Sequence, residues 1–227
     1  ATCRDCEASA SSVTFTCCGK LPNDDFKQSS STWANTAYDS ICSTEAAGTG
    51  NYRPVYSCDA SIFNKPEYKN KKYYFAIKAK GCGLTALSTL INYYRETYRL
   101  TISSTTPESL NRFLKDNARY GNKCYSISGA VNFECVTSYS SNLKLSGAMD
   151  YPNYSRKQLI DKAKEDILKG FPVILKISNS THFVLAVGIC NGKFIVSDPG
   201  SSLSERKVYN PEGDRALIGI RKFGKIK

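Results

Sequence analysis

Histidine, methionine and tryptophan each occur once in the 227 residues, and the single histidine is His182. Any mechanism that needs an imidazole must use it, because few other side chains titrate near neutrality. No apolar run approaches the roughly 18 residues of a membrane span, so no transmembrane helix is expected. No Lys/Arg cluster is interleaved with aromatics and no nucleic-acid reading motif is present, which argues against nucleic acid as a partner. Internal repeats and low-complexity tracts are also absent. The opening Ala1-Thr2-Cys3-Arg4-Asp5-Cys6 lacks a basic region followed by an apolar stretch, and reads as the mature end of an exported chain.

Cysteine, by contrast, is abundant. Ten cysteines fall at positions 3, 6, 17, 18, 42, 58, 82, 124, 135 and 190, six of them in the first 58 residues. That density belongs to a stapled extracellular segment and predicts secretion. Short-spaced thiolates such as Cys3-x-x-Cys6 suit zinc, but no second such knuckle follows and no histidine lies nearby. We therefore expect three disulfides among Cys3, Cys6, Cys17, Cys18, Cys42 and Cys58, of unassigned connectivity, and no metal or other cofactor. Cys124 and Cys135 bracket a loop and form an expected fourth pair, leaving Cys82 and Cys190 reduced, the latter as an inert core thiol.

Charge divides the chain in the same way. Residues 1–72 carry equal numbers of basic and acidic side chains, so the whole excess of +11 lies in residues 73–227. We expect a Cys-rich unit over 1–72, lying against a basic unit over 73–227, in a monomer. The positive excess is either a solvated surface or an attraction to an anionic partner such as a bacterial envelope. With 41% hydrophobic and 22% charged residues, the chain is not disordered.

Residues 1–72 show Ser/Thr/Asn/Gly clusters and no sustained helical period. Tyr73–Ala79 reads as an extended approach. From Gly83 to about Tyr98, Leu84, Leu87, Leu90, Ile91 and Tyr94 recur at helical spacing. Thr106-Pro107-Glu108 starts a second helix, with Leu110, Phe113 and Leu114 on its inner face. Ser155-x-x-Gln158 is a capping box, and Gly170 stops the helix that follows it. Thereafter Pro172–Ile177, Phe183–Ile189, Lys193–Val196 and Ala216–Ile220 read as strands, with a hairpin at Asn191-Gly192. Helices first and an antiparallel sheet second is an α+β arrangement.

Cys82 is the one cysteine at the start of a strong helix. Helix N-terminal amides favour a thiolate there, and Lys78 and Lys80 add positive potential. Gly81 and Gly83 leave the sulfur uncrowded and open to a substrate backbone, which makes Gly81, Gly83 and Lys78 candidate oxyanion or substrate contacts. His182 opens an apolar strand. Asp198 follows the hairpin, whose return brings it beside the start of that strand, where it can fix the imidazole tautomer. Cysteine at a helix start, histidine at a strand start and aspartate across a hairpin form a papain-type constellation.

Gly81-Cys82-Gly83-Leu84-Thr85-Ala86-Leu87, continuing to Leu90-Ile91-Asn92-Tyr93-Tyr94, resembles the nucleophile helix of the bacteriocin-processing (double-glycine leader) cysteine peptidases, especially their transporter-free relatives. The likeness continues through Gly170-Phe171-Pro172-Val173-Ile174-Leu175, through Thr181-His182-Phe183-Val184-Leu185-Ala186-Val187-Gly188, and from Gly192 to Asp198-Pro199-Gly200. It implies a papain-like α+β fold, with Cys82 as nucleophile, His182 as general base and acid, and Asp198 as orienter. One position departs. The family usually carries an oxyanion-donating Gln about six residues before the nucleophile. Here Ala76 stands there, and no Gln lies between Gln28 and Gln158.

The function expected is thus a secreted cysteine peptidase or amide hydrolase acting on a peptide or protein substrate through an acyl-enzyme. Two alternatives remain: a binding module that keeps the fold with little turnover, as the missing Gln would favour, and acyl transfer to an amine.

Overall fold

A computed structural model describes residues 15–17, 24–42, 52–54, 73–116, 124–125, 130–177, 182–201, 207–213 and 215–226. Their elements are β1 (Phe15–Cys17), β2 (Ala37–Cys42), β3 (Tyr52–Pro54), β4 (Tyr73–Ala76), α1 (Ile77–Lys80), α2 (Cys82–Tyr98) and α3 (Pro107–Asp116). A 3-10 turn (Phe133–Cys135), α4 (Val136–Tyr139), β5 (Leu143–Asp150) and α5 (Arg156–Leu168) follow. The chain closes with β6 (Val173–Ile177), β7 (His182–Cys190), β8 (Lys193–Ser197), β9 (Lys207–Tyr209) and β10 (Leu217–Lys225). This is the expected α+β class.

The helix signals act where the sequence places them. The predicted stripe of α2 is fully enclosed, with Leu84, Leu87, Leu90, Ile91 and Tyr94 all at 0% exposure. Thr106 caps α3, accepting from the backbone of Ser109 at 3.1 Å, and Pro107 takes the first helical position. Ser155 and Gln158 close a capping box on α5, and Gly170 leaves it with φ +87°.

Seven strands form the main sheet, in the order β5-β10-β6-β7-β8-β9, with β1 added against β7. Asn191 and Gly192 both take positive φ, the geometry a two-residue hairpin needs to join β7 to β8. In that hairpin Leu185 lies opposite Ser197. The chain leaving β8 therefore returns alongside His182.

Three local expectations change. The approach to Cys82 is not extended throughout: β4 ends at Ala76 and α1 intervenes, because a turn closes in which the Gly81 amide donates to the Ile77 carbonyl. Strand pairing also reaches into the N-terminal part, where β2 and β3 flank β4 in a second sheet. Finally, β5 precedes α5, so helices and strands are not fully segregated. Its alternating Leu-Lys-Leu-Ser exposure marks a half-covered strand.

The cysteines bring a further correction. Cys124 and Cys135 are bonded as expected, and Cys82 carries no disulfide. Cys190, however, is disulfide-bonded and not a reduced core thiol. The three disulfides expected among the six N-terminal cysteines fall outside the described residues. Strand β6 pairs β7 only as far as Ala186, and β1 takes the remainder, placing Phe15 opposite Cys190. Cys3, Cys6, Cys18 and Cys58 lie outside the described residues, as do the side chains of Cys17 and Cys42.

Residues 24–42 lie against the unit that begins at residue 73. They cover the polar side of α2: the Phe26 amide donates to Thr89 Oγ1, and Asn92 Nδ2 donates to Asp24 at 2.7 Å. Trp33 sits in the core edge-on to Phe26. Thr85, Ser88, Thr89 and Asn92 are consequently buried.

Candidate active site

Cys82 is the first residue of α2, where the leading backbone N–H groups have no partner within the helix. Its placement depends on the glycines beside it. A Cβ on Gly81 would lie 2.5 Å from the Ile77 carbonyl oxygen, and one on Gly83 would lie 3.3 Å from Phe183 and 3.4 Å from Phe133. Both glycines are buried. Gly83 lets the head of the helix pack on Phe183 of β7, and Gly81 lets it pack on the turn at Ile77.

His182 begins β7, 17% exposed, and its Nε2 lies 2.6 Å from Asp198 Oδ1. With Nε2 engaged by the carboxylate, Nδ1 is the ring nitrogen left for the hydrogen bond with Cys82. The sequence-predicted trio is thus brought together. Burial alone would lower the imidazole pKa. Hydrogen bonds to Asp198 and Cys82, with the charges of both, outweigh it and raise His182 to about 9. Burial likewise acts to raise the Asp198 carboxyl. The His182 hydrogen bond and charge, the Gly200 amide and Lys207 prevail and bring it down to about 2. At neutral pH the pair is an imidazolium beside a carboxylate.

The Asp198 turn is held on several sides. Gly200 donates its amide to Asp198 Oδ1 at 2.9 Å, and Lys207 Nζ stands 3.5 Å from Oδ2. Gly200 also lies flat against the imidazole, since a Cβ there would be 3.0 Å from His182 Cε1. Lys27 Nζ donates to the Asp198 carbonyl at 3.0 Å. The Gln28 amide donates to the Pro199 carbonyl at 2.9 Å, and Ser197 Oγ donates to Asp25.

Gln28 is the residue that sequence reasoning missed. Ala76, at the family's usual glutamine position, is buried at the end of β4. Gln28 Nε2 instead donates to the Lys78 carbonyl at 2.6 Å, four residues before Cys82. In this bond Lys78 takes part through its backbone carbonyl. Residues 25–28 therefore bridge the lead-in to the nucleophile helix and the turn that carries Asp198. The only local signal for this is a Gln in a segment otherwise reading as loop.

The family model described as Peptidase_C39 like family matches residues 65–218. Among solved structures, one described as a C39-like peptidase from Bacillus anthracis is similar at 17% identity, over 65% of this chain and 90% of that one, with a TM-score of 0.39. No curated protein matches the chain.

Proposed function

Because the chain belongs to the C39-like peptidase family, we propose that it is a cysteine peptidase that cleaves a peptide or other amide bond through an acyl-enzyme on Cys82. The observation that carries this reading is the hydrogen-bonded series from Cys82 through His182 to Asp198, closed by the 2.6 Å contact.

With its proton held on His182, the Cys82 sulfur attacks the carbonyl carbon and the C=O electron pair moves onto oxygen. The Cys82 backbone N–H and the second N–H of Gln28 Nε2 receive the developing oxyanion. The His182 imidazolium passes its proton to the leaving nitrogen, the C–N bond breaks and an amine departs. Neutral His182 then takes a proton from water, whose oxygen attacks the thioester, and the carboxylic acid leaves as the sulfur departs. Asp198 keeps the ring oriented and its charged form favoured throughout.

Gln28 bears on the choice between turnover and a binding-only groove. The binding reading rested on an absent amide donor, and an amide beside Lys78 supports turnover. Export is part of the proposal, supported by the oxidised Cys124, Cys135 and Cys190. No described helix is long and apolar enough to cross a membrane. The positive excess of residues 73–227 fits a substrate on an anionic envelope.

Incubation of the intact chain and its Cys82→Ala variant with a peptide-amide panel, read by mass spectrometry, tests the reading. Hydrolysis products in the parent alone support it. Ligated products would redirect it to acyl transfer, and binding without products would overturn it.

A further inference from the structure

A cavity of about 620 Å³ opens beside the His182–Asp198 pair, between β7, β8 and β9. This is within the range of ligand pockets, about 300–1,000 Å³. Side chains alternate along β7. Phe183 turns towards Gly83 at the head of α2, while His182 and Val184 line the cavity with Val196 and Val208. The imidazole, hydrogen-bonded to Cys82, thus forms the wall of the cavity nearest the thiol.

The charges around it are unequal. Asp198 is the sole carboxylate among the described lining residues, and His182, Gly200 and Lys207 already engage it. Arg215 lies at the rim and makes no ion pair among the described residues. Its backbone is fixed there, because the Tyr209 hydroxyl donates to the Arg215 carbonyl, and Tyr209 itself stacks on Phe194. An apolar wall beside a guanidinium that pairs with no carboxylate among the described residues matches a ligand with a short hydrocarbon body and a carboxylate tip.

We propose that this cavity is a specificity subsite for a substrate carboxylate close to the scissile bond, with Arg215 as the residue that reads it and Lys207 in support. The inference rests on the peptidase reading above. The carboxylate can belong to an acidic side chain or to a chain terminus, and both present the same two oxygens to the guanidinium.

Matched peptides carrying Glu or Gln at each position flanking the cleaved bond, and peptides with free or amidated C-termini, distinguish these sources. The charged member of one pair should be preferred in kcat/KM by about 10–100-fold, the range of a charge-assisted hydrogen bond. Arg215→Gln should bring that ratio close to 1, and Arg215→Glu should invert it in favour of Lys at the same position. A second readout needs no turnover: glutarate should slow iodoacetamide alkylation of Cys82 in the parent and not in Arg215→Glu. Cleavage with equal Glu and Gln rates and no glutarate protection would overturn the subsite and leave the peptidase reading standing. Protection without cleavage of any peptide would uphold the anion site and overturn the peptidase reading. Equal protection of the parent and Arg215→Glu would assign the effect to the imidazolium and also overturn the subsite.

Discussion

Gln28 donates from Nε2 to the carbonyl of Lys78 across 2.6 Å, although 50 positions separate the two residues. The other end of the amide, Oε1, is buried with no hydrogen-bond partner among the described residues. Leaving a buried amide oxygen unpaired costs about 1–3 kcal/mol. One Nε2 hydrogen anchors the amide to the nucleophile's lead-in, and in the proposed mechanism the second is the one offered to the substrate oxyanion.

Gln28→Ala should therefore lower kcat by about 10²–10³-fold while changing KM little, since the bond it supplies strengthens as the oxyanion forms. Steady-state kinetics beside a circular-dichroism check of folding measures this. A variant that folds normally and turns over at the parental rate would place the donor elsewhere.

The charged imidazole predicts a limit at alkaline pH. His182 must carry a proton to release the leaving nitrogen, so kcat/KM should fall as pH rises through about 9. Asp198→Asn removes one of the contacts that raise the pKa, and the falling limb should move towards the ordinary value near 6.5. Stability follows the same sign. A pKa raised on folding contributes fully below the unfolded value and is lost as pH passes the folded one, so Tm should decline from about pH 6.5 to 9. The depressed Asp198 carboxyl contributes above its unfolded value of 3.8, a contribution lost as pH falls towards about 2. A pH–rate profile with a flat alkaline side would contradict the assignment of His182.

Gly200 tests how finely the ring is held. A methyl there would sit 3.0 Å from His182 Cε1 and 3.3 Å from Nε2. Something must give, and the imidazole is the nearest group. Gly200→Ala should lower kcat by about tenfold or more through misplacement of the ring, with a stability loss of about 1 kcal/mol. Comparison of kcat with thermal denaturation separates the two effects. A large fall in Tm with kcat intact would make Gly200 structural only.

Much of this arrangement was legible locally. The stripe from Leu84 to Tyr94, the Ser155–Gln158 box and the Asn191-Gly192 turn each fix an element through neighbours a few residues away. Cys82 and His182 were legible for the same reason, as the first residues of their elements. Gln28 was not, because its role depends on residues 24–42 crossing α2, a relation with no periodic signature. The polar residues Thr85, Ser88, Thr89 and Asn92 face that covering segment, yet helical period alone assigns them to solvent. Cys190 shows the same limit. Its apolar surroundings correctly indicate burial, at 6% exposure, but the pairing of β1 with β7 that places Phe15 opposite it, and its oxidation, are not written in either strand.

Thiol chemistry follows from that pairing. Iodoacetamide applied to the native, unreduced chain should label Cys82 and leave Cys190 untouched, even after denaturation without reductant. A non-reducing peptide map should join the Cys190 peptide to one containing an N-terminal cysteine. Cys190→Ser should destabilise the chain by about 2–5 kcal/mol, since the bond closes a long loop. A Cys190 that alkylates in denaturant alone would refute the bond.

Asp25 provides a test of whether the bridging segment acts as one unit. Its carboxylate accepts from Ser197 Oγ, next to Asp198, and pairs with Lys27 at 3.2 Å. Lys27 in turn holds the Asp198 carbonyl, and Gln28 follows directly. Removing the Asp25 carboxylate should let this segment drift from the β8 end, disturbing the Gln28 amide and the Asp198 turn together. Asp25→Ala should therefore lower kcat although its carboxylate is not the group bonded to the imidazole. Its effect should also overlap with that of Gln28→Ala, because a donor already displaced cannot be lost twice. In a double-mutant cycle on kcat/KM, the combined loss should be smaller than the sum of the single losses by about 1 kcal/mol or more, within the range seen for coupled neighbours. Independent residues would give additive losses. Additivity would mean that Asp25 steadies the Asp198 turn alone and that Gln28 is positioned by Lys78 without help from the rest of the segment.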